Sequence, residues 1–516
     1  MSSLRCLAML CLWIAQPAAT PTTQPLPTNW PPLPDFKTRV DYIAWLHERL
    51  SADPTEDARP LYEELTAQED DPPEVQAAKA RMWGEDARGG IHGLFTGEDP
   101  TPERFAWQPA DHPKWETAYQ AQLAAGLPAK LMAIAQRPKL SALPYTCGAA
   151  GILEYMEEQR KERKLGPLDF GLKADDRLAR LCLLPSLALP RQTARVLLQN
   201  AWRAPGGTVD QEAMTAAIEA CLKLADHVGE STLIAQLVNV AMRGYTYDTT
   251  LRALYEEVYD QAGVSHLFQL LRRIDRASLV SMELDAYELA DMFDVLQFCY
   301  TLDAEPTRVS TQPQMERVQR LARFLDAQHR LHSDWQPAPL DLEGEIRNCD
   351  PRAGVQQAID LLLEIRRAVE SELPPQAEHR AKTLVEAFRA DSRNHVVVRE
   401  SFYPLYGQSF MIAVRAEARR RATQLVLALH RHQHRTGEWP ANLRMIRGLP
   451  RDLRTDPFSG RDFIYRIEDG KLILYSVSTN GRDDGGKHDR DWGRLPAQEG
   501  EDLPATDYVF WPVQVE

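Results

Sequence analysis

The hydrophobic period of this chain changes once, and where it changes bounds the fold. Up to about residue 435, apolar residues recur every three to four positions, the spacing of one helix face. Gly437 ends the last such stretch and Pro440 prevents its resumption. Beyond it, 463–467, 472–477 and 508–511 read as short strands. Between the first two, Asp469-Gly470 sits where a type I′ hairpin turn needs positive φ at both central positions. The expected fold class is mainly α: a multi-helix bundle or irregular helical-pair stack, followed by a small α+β C-terminal domain. That domain joins a long helix over about 409–435 to a three-stranded antiparallel sheet.

The clearest helical stripes lie between 175 and 275. Met214, Ile218, Cys221, Ala225 and Val228 form one that ends at Gly229. Ile234, Leu237, Val238, Ala241 and Met242 form a second, ending at Gly244, and Leu251, Leu254, Tyr255, Val258 and Tyr259 a third, ending near Gly263. Ser265 is the expected cap of a fourth helix carrying Leu267, Phe268, Leu271 and Ile274. A glycine just past each stripe is the usual helix stop, and short connections imply antiparallel pairs. Helical spacing continues over 311–330 and 353–392, with Gln336-Pro337-Ala338-Pro339 as a break between them. No repeat of 34 to 45 residues holds a consensus, which disfavours a tetratricopeptide array. In the long helix Met411, Val414, Ala418, Leu425 and Leu429 make a narrow apolar stripe, with Arg415, Arg419, Arg420 and Arg421 largely off it.

With Lys+Arg 60 against Asp+Glu 74, the net charge of −14 argues against a nucleic-acid partner, because phosphate neutralisation calls for a basic face. Arg5, the apolar run 6–15 and Pro17-Ala18-Ala19 read as a secretory signal over 1–20. The apolar run is shorter than the roughly 20 residues that span a bilayer, so beyond a retained N-terminal anchor no transmembrane span is expected. Seven prolines between 17 and 34 favour an extended linker over 21–34. A helical domain over 35–400, with a candidate break near 145–175, then precedes the domain at 405–516. Loss of the signal leaves Cys147, Cys182, Cys221, Cys299 and Cys349. No Cys-x-x-Cys pair is among them, which disfavours a zinc knuckle or a thioredoxin-like site. Cys182 and Cys221 read as small core residues, and disulfide pairing stays open.

The chemistry-bearing stretch lies between the second and third strands. Asn480, Asp483, Asp484, Asp489 and Asp491 are interleaved with Gly481, Gly485 and Gly486. Calcium takes six to eight oxygens at about 2.3–2.6 Å, and glycines let a loop wrap tightly enough to deliver them. The spacing is not that of an EF-hand, since Arg482 falls at the third position when Gly485 is the central glycine. Thiols are absent and His488 is the lone imidazole, so a soft-metal site is disfavoured. A solvated acidic turn is the alternative.

The order Gly437-Glu438-Trp439-Pro440-Ala441-Asn442-Leu443, Asp456-Pro457-Phe458-Ser459-Gly460, the Tyr465 strand, Leu474-Tyr475-Ser476, Asn480-Gly481 and Gly485-Gly486 resembles the globular part of type II secretion major pseudopilins. The likeness covers about 410–515. It implies a long helix ending at a Gly-x-Tyr-Pro-like corner, an Asp-Pro-Trp-Gly-like turn into a three-stranded sheet, and a calcium-binding acidic loop. By this likeness Asn480 stands where the family has the Asp of a Gly-x-Asp-Gly turn, and Asp489 and Asp491 stand as its closing Asp-x-Asp. Asp483 and Asp484 are an acidic insertion. Asn for Asp removes a negative charge and implies weaker affinity. The chain departs from the family at its start: an ordinary signal, a proline linker and a long helical region replace the prepilin peptidase site. Polymerisation as a pseudopilus subunit is therefore not expected. The remainder is similar in composition to large exported bacterial proteins in which a helical body precedes such a tail.

Elsewhere, His430, His432 and His434 end the long helix, where cations are favoured by the helix dipole, and no zincin glutamate accompanies them. His329, His332 and Asp334 read the same way. Trp202, Tyr245 and Tyr247 read as core or groove residues. No Gly-x-Ser-x-Gly elbow, phosphate loop or dinucleotide fingerprint occurs. The expectation is a non-enzymatic exported protein of the periplasm or cell envelope, with a helical body for a protein partner and a calcium-stabilised tail. An exported hydrolase with its site at 175–400, and a helical scaffold with an inert loop, are the alternatives.

Overall fold

The computed structural model describes residues 30–50, 52–65, 108–111, 113–140, 149–179, 188–203, 208–228, 233–275, 286–332, 341–401, 405–493 and 506–514. The expected signal, Pro21, Pro25, Pro27, Cys147, Cys182, Gly229, Asp334 and the break at 336–339 lie outside the described residues, as do the side chains of His329 and His332. Among the described residues the chain is mainly helical and closes with one antiparallel sheet. In chain order the helices are α1 (Tyr42–Leu50), α2 (Arg59–Leu65), α3 (Pro113–Ala124), α4 (Leu127–Ala135), α5 (Ala149–Glu162) and α6 (Ala188–Ala201). Then come α7 (Gln211–Asp226), α8 (Leu233–Tyr255), α9 (Gln261–Ile274), α10 (Ala286–Tyr300), α11 (Met315–His332) and α12 (Leu342–Ile346). The last are α13 (Pro351–Ser371), α14 (Pro374–Ala390), α15 (Val396–Ser401), α16 (Leu405–Thr436) and α17 (Arg451–Arg454). The strands are β1 (Ile464–Glu468), β2 (Lys471–Ser476) and β3 (Tyr508–Trp511). No helix among the described residues is long and apolar enough to cross a membrane.

Two apolar cores form, and the chain passes between them more than once. One gathers Tyr42, Leu46, Phe293, Phe298, Phe324, Ile359 and Val397, from α1, α10, α11, α13 and α15. The other gathers Leu131, Met214, Ile218, Leu267, Leu425 and Leu474, from α4, α7, α9, α16 and β2. Helix α14 serves both, with Ala377 in the second core and Ala381 and Val385 in the first. Residues Trp30 and Phe36, at the end of the proline-rich stretch, pack into the first core, and the Tyr42 hydroxyl donates to Pro32 O at 2.7 Å.

Local chemistry sets several helix starts. Asp210, Asp260, Asp341 and Asp350 each accept a backbone N–H from the first turn of α7, α9, α12 and α13. Asp260 therefore caps the helix expected to start at Ser265, and Gly263 lies inside that helix. A Cβ there would stand 2.4 Å from Gln211 Oε1, so a larger residue would displace the end of that side chain. Nor does Gly244 end a helix, because α8 runs through it to Tyr255. A mid-helix glycine costs about 1 kcal/mol, too little to break a helix whose Met242, Tyr247 and Leu251 are buried on both sides of it.

Helix α16, 32 residues and so about 48 Å long, is the axis of the second core. All five stripe residues are buried, as is Ala422 on the same face, and so are Ala413, Val426 and Leu427 off the stripe. A helix buried nearly all round must lie inside the fold, here against α8, α9 and α14. Gly437, at φ 81°, ends it, its N–H donating to Gln433 O at 2.7 Å. The sheet follows as expected. Asp469 and Gly470 have φ of 50° and 75°, Glu468 pairs with Lys471, and β2 lies between β1 and β3.

Candidate functional site

The Asp456 turn is a fastening between α17 and the sheet. The Asp456 carboxylate is buried and accepts from Phe458 N at 3.0 Å, Ser476 Oγ at 2.9 Å and Val477 N at 3.1 Å. It thereby ties the turn to the end of β2. Burial pushes its carboxyl up to about 6, against the pull of these donors. Arg421 of α16 donates to Thr455 O at 2.9 Å, which joins the turn to the central helix.

The acidic loop follows directly. Ser478 and Thr479 hydroxyls both donate to Trp492 O, at 2.7 and 2.8 Å, closing the loop at its base. The Trp492 ring stacks on Tyr508 at 3.8 Å between centroids and on Phe458 at 5.4 Å. Arg419 of α16 lies over both Trp492 and Tyr508, and donates to the Tyr508 hydroxyl at 3.1 Å. Thus the loop is mounted on the long helix, not on the sheet alone.

The structure divides the five sequence-selected residues into three groups. Asn480 Nδ2 donates to Asp484 Oδ2 at 2.7 Å, and the same oxygen accepts Thr506 N at 2.8 Å. Asp483 turns the other way, to Arg466 at 2.8 Å and the Tyr475 hydroxyl at 2.6 Å. Partial burial opposes its charge, but Tyr475, Gly485 N–H and Arg466 hold it below the usual carboxylate range. Asp489 and Asp491 are neighbours, Asp489 Oδ1 accepting Asp491 N at 2.8 Å, and their charges act on Arg415 of α16. Among the described residues no three His, Cys, Asp or Glu side chains converge as ready ligands for one ion.

Asp507, just before β3, is the site residue that sequence reading missed. It is fully buried beneath the loop. Its N–H donates to Lys487 O at 2.8 Å, its carbonyl accepts Asp489 N at 2.8 Å, and Oδ2 accepts Asp484 N at 3.0 Å and Gly486 N at 2.8 Å. Oδ1 is buried with no hydrogen-bond partner. Burial, then the neighbouring Asp484 and Asp483, raise this carboxyl above its ordinary range. The signal available in the sequence was an acid at the strand entry, separated from the loop by 494–505. A buried carboxylate oxygen without a partner beneath a glycine-rich acidic loop is the one feature here that a hard cation would satisfy.

Other constellations are buried or half-buried. His430 lies edge-on to Trp511 at 4.9 Å and Trp439 at 5.2 Å, and its Nε2 is buried without a partner. Burial, with His434 beside it, pushes its pKa down to about 4, so His430 is not the dipole-favoured cation expected at a helix end. Tyr300 and His395 share a 2.9 Å hydrogen bond, yet both are buried. Trp202 and Tyr247 are buried, and Tyr245 is half-buried against Arg195. Cys221, Cys299 and Cys349 are free thiols, Cys221 fully buried as expected. Compared with known proteins, the chain matches no family model, no curated protein and no solved structure.

Proposed function

We propose that the chain is a non-enzymatic exported protein of the periplasm or cell envelope, whose helical body engages a protein partner and whose pseudopilin-like tail is held by calcium. The observation that carries the calcium reading is the buried, unpartnered Oδ1 of Asp507 beneath the acidic loop. Asp507 and Asp484 would hold the ion first, with Asn480 beside them, while Asp483, now held by Arg466 and Tyr475, and the Asp489 and Asp491 carboxylates would have to turn inward to complete its oxygen set. The ion supplies charge neutralisation to a loop whose carboxylates otherwise repel one another. Its role is structural, because the loop is fastened to α16 through Trp492, Tyr508 and Arg419. Export rests on the apolar stretch at 6–15.

The test is thermal unfolding of the full chain with calcium and with chelator. Calcium should stabilise by about 2.7 kcal/mol at free ion near a hundred times Kd. Asp507→Asn, and Asp489→Ala with Asp491→Ala, should each reduce that shift. No shift in the unmodified chain sinks the calcium reading. Partner engagement is tested by chemical crosslinking in envelope fractions, where recovery of the chain with no crosslinked species counts against it.

A further inference from the structure

Asn480-Gly481 is the one Asn-Gly pair in the 516 residues, and it falls at the acidic loop. Gly481 is exposed at φ 67°, with nothing within 4 Å of where a Cβ would stand. Its N–H makes only a long bond to Ser478 O at 3.3 Å. Asn480 Oδ1 accepts Arg482 N at 2.9 Å, which folds the carboxamide across Gly481. The other end of that carboxamide, Nδ2, clasps Asp484 Oδ2 at 2.7 Å. Asn480 is thus the neutral member of a loop in which Asp484 and the fully buried Asp507, with its unpartnered Oδ1, already crowd negative charge.

We propose that Asn480 is a self-modification site: deamidation through Gly481 converts the loop from one closed by a hydrogen bond to one that requires a cation. The Gly481 nitrogen gives up its proton and bonds to Asn480 Cγ. The Cγ–Nδ2 bond breaks, and the amide leaves as ammonia carrying that proton equivalent. The resulting succinimide is opened by water at either carbonyl, yielding aspartate or isoaspartate at position 480 with no change of oxidation state. In the aspartate product an N–H donor to Asp484 is replaced by a second anionic oxygen. The clasp becomes a repulsive contact, relieved by a divalent cation shared with Asp507. This consequence rests on the calcium reading of the loop; the covalent step does not.

The full chain is aged at mildly alkaline pH and its 480-containing peptide followed by mass spectrometry with isoaspartate detection. Conversion is expected in the unmodified chain, strong slowing in Gly481→Ala, whose Cβ shields the nitrogen, and none in Asn480→Gln. Gly481→Ala retains the Asn480 side chain but strains the backbone at φ 67°, so unfolding of each variant is measured beside its conversion, and slowing in a variant that remains folded is the result that counts. An amide that stays intact through ageing overturns the proposal. Calcium titration by calorimetry should show Asn480→Asp binding roughly tenfold more tightly than fresh unmodified chain. Equal affinity overturns the switch. If conversion occurs while neither form binds calcium, the modification stands and the calcium reading of the loop falls.

Discussion

Glu417 and Arg420, one turn apart on α16, form a bidentate ion pair with both N–O distances at 2.8 Å, and both side chains are buried. Arg421 adds a third bond to the same carboxylate at 2.6 Å. Arg420 also donates to Asp275 O at 3.1 Å, and Asp275 in turn is paired with Arg243 at 2.8 Å and accepts the Tyr247 hydroxyl at 3.0 Å. Burial opposes the charge on Glu417, but Arg420 and Arg421 outweigh it and keep its carboxyl below the ordinary range. The network locks the central helix to α8 and to the end of α9.

Glu417→Ala should therefore be severe. It leaves Arg420 buried without its carboxylate, a class of change that costs about 3–5 kcal/mol. Urea unfolding of the full chain checks this, and a loss within 1 kcal/mol or so would show that solvent replaces the carboxylate.

Asp456 predicts a pH dependence of definite sign. Its folded pKa, about 6, lies above the ordinary 3.8, so the folded chain retains a proton that the unfolded chain loses. Stability from this group is full below 3.8, falls as pH rises toward 6 and is flat above. The drop is about 3 kcal/mol. Asp456→Asn should abolish that slope. It should also destabilise by about 1–3 kcal/mol, since its NH2 would face the Phe458 or Val477 N–H. A slope unchanged in the variant would assign it to another group.

His430 predicts the opposite slope. Its folded pKa is depressed to about 4 from 6.5, so its stability contribution is present above 6.5 and is lost as pH falls through that window. His430→Phe keeps the edge-on packing against Trp439 and Trp511 and removes the unpartnered nitrogen. We expect a gain of about 1 kcal/mol at neutral pH and a larger one near pH 5. Stability measured by denaturant titration at the two pH values checks it, and a loss at both would mean that Nε2 has a bound partner.

The features legible in the sequence are those decided within a few residues. Asp469-Gly470 makes its turn because both positions need positive φ, Gly437 ends α16 because only glycine sits freely at 81°, and the stripe of Met411 to Leu429 marks a buried face whatever lies opposite. The same logic failed at Gly244 and Ser265, where a local stop signal is worth about 1 kcal/mol and tertiary packing or a better cap outweighs it.

What only the tertiary structure decided depends on residues far apart in the chain. Arg420 meets the Asp275 carbonyl across 145 positions, and Asp507 comes beneath Asp484 and Gly486 across 23 and 21. No periodicity encodes such meetings, because each requires two elements to pack before the charges are near. The sequence by itself determined a helical chain ending in a small sheet with an acidic glycine loop. Packing decided which carboxylates are buried, which have their pKa raised, and which oxygen is left without a partner, since desolvation and partner distance exist only once the chain has closed around them.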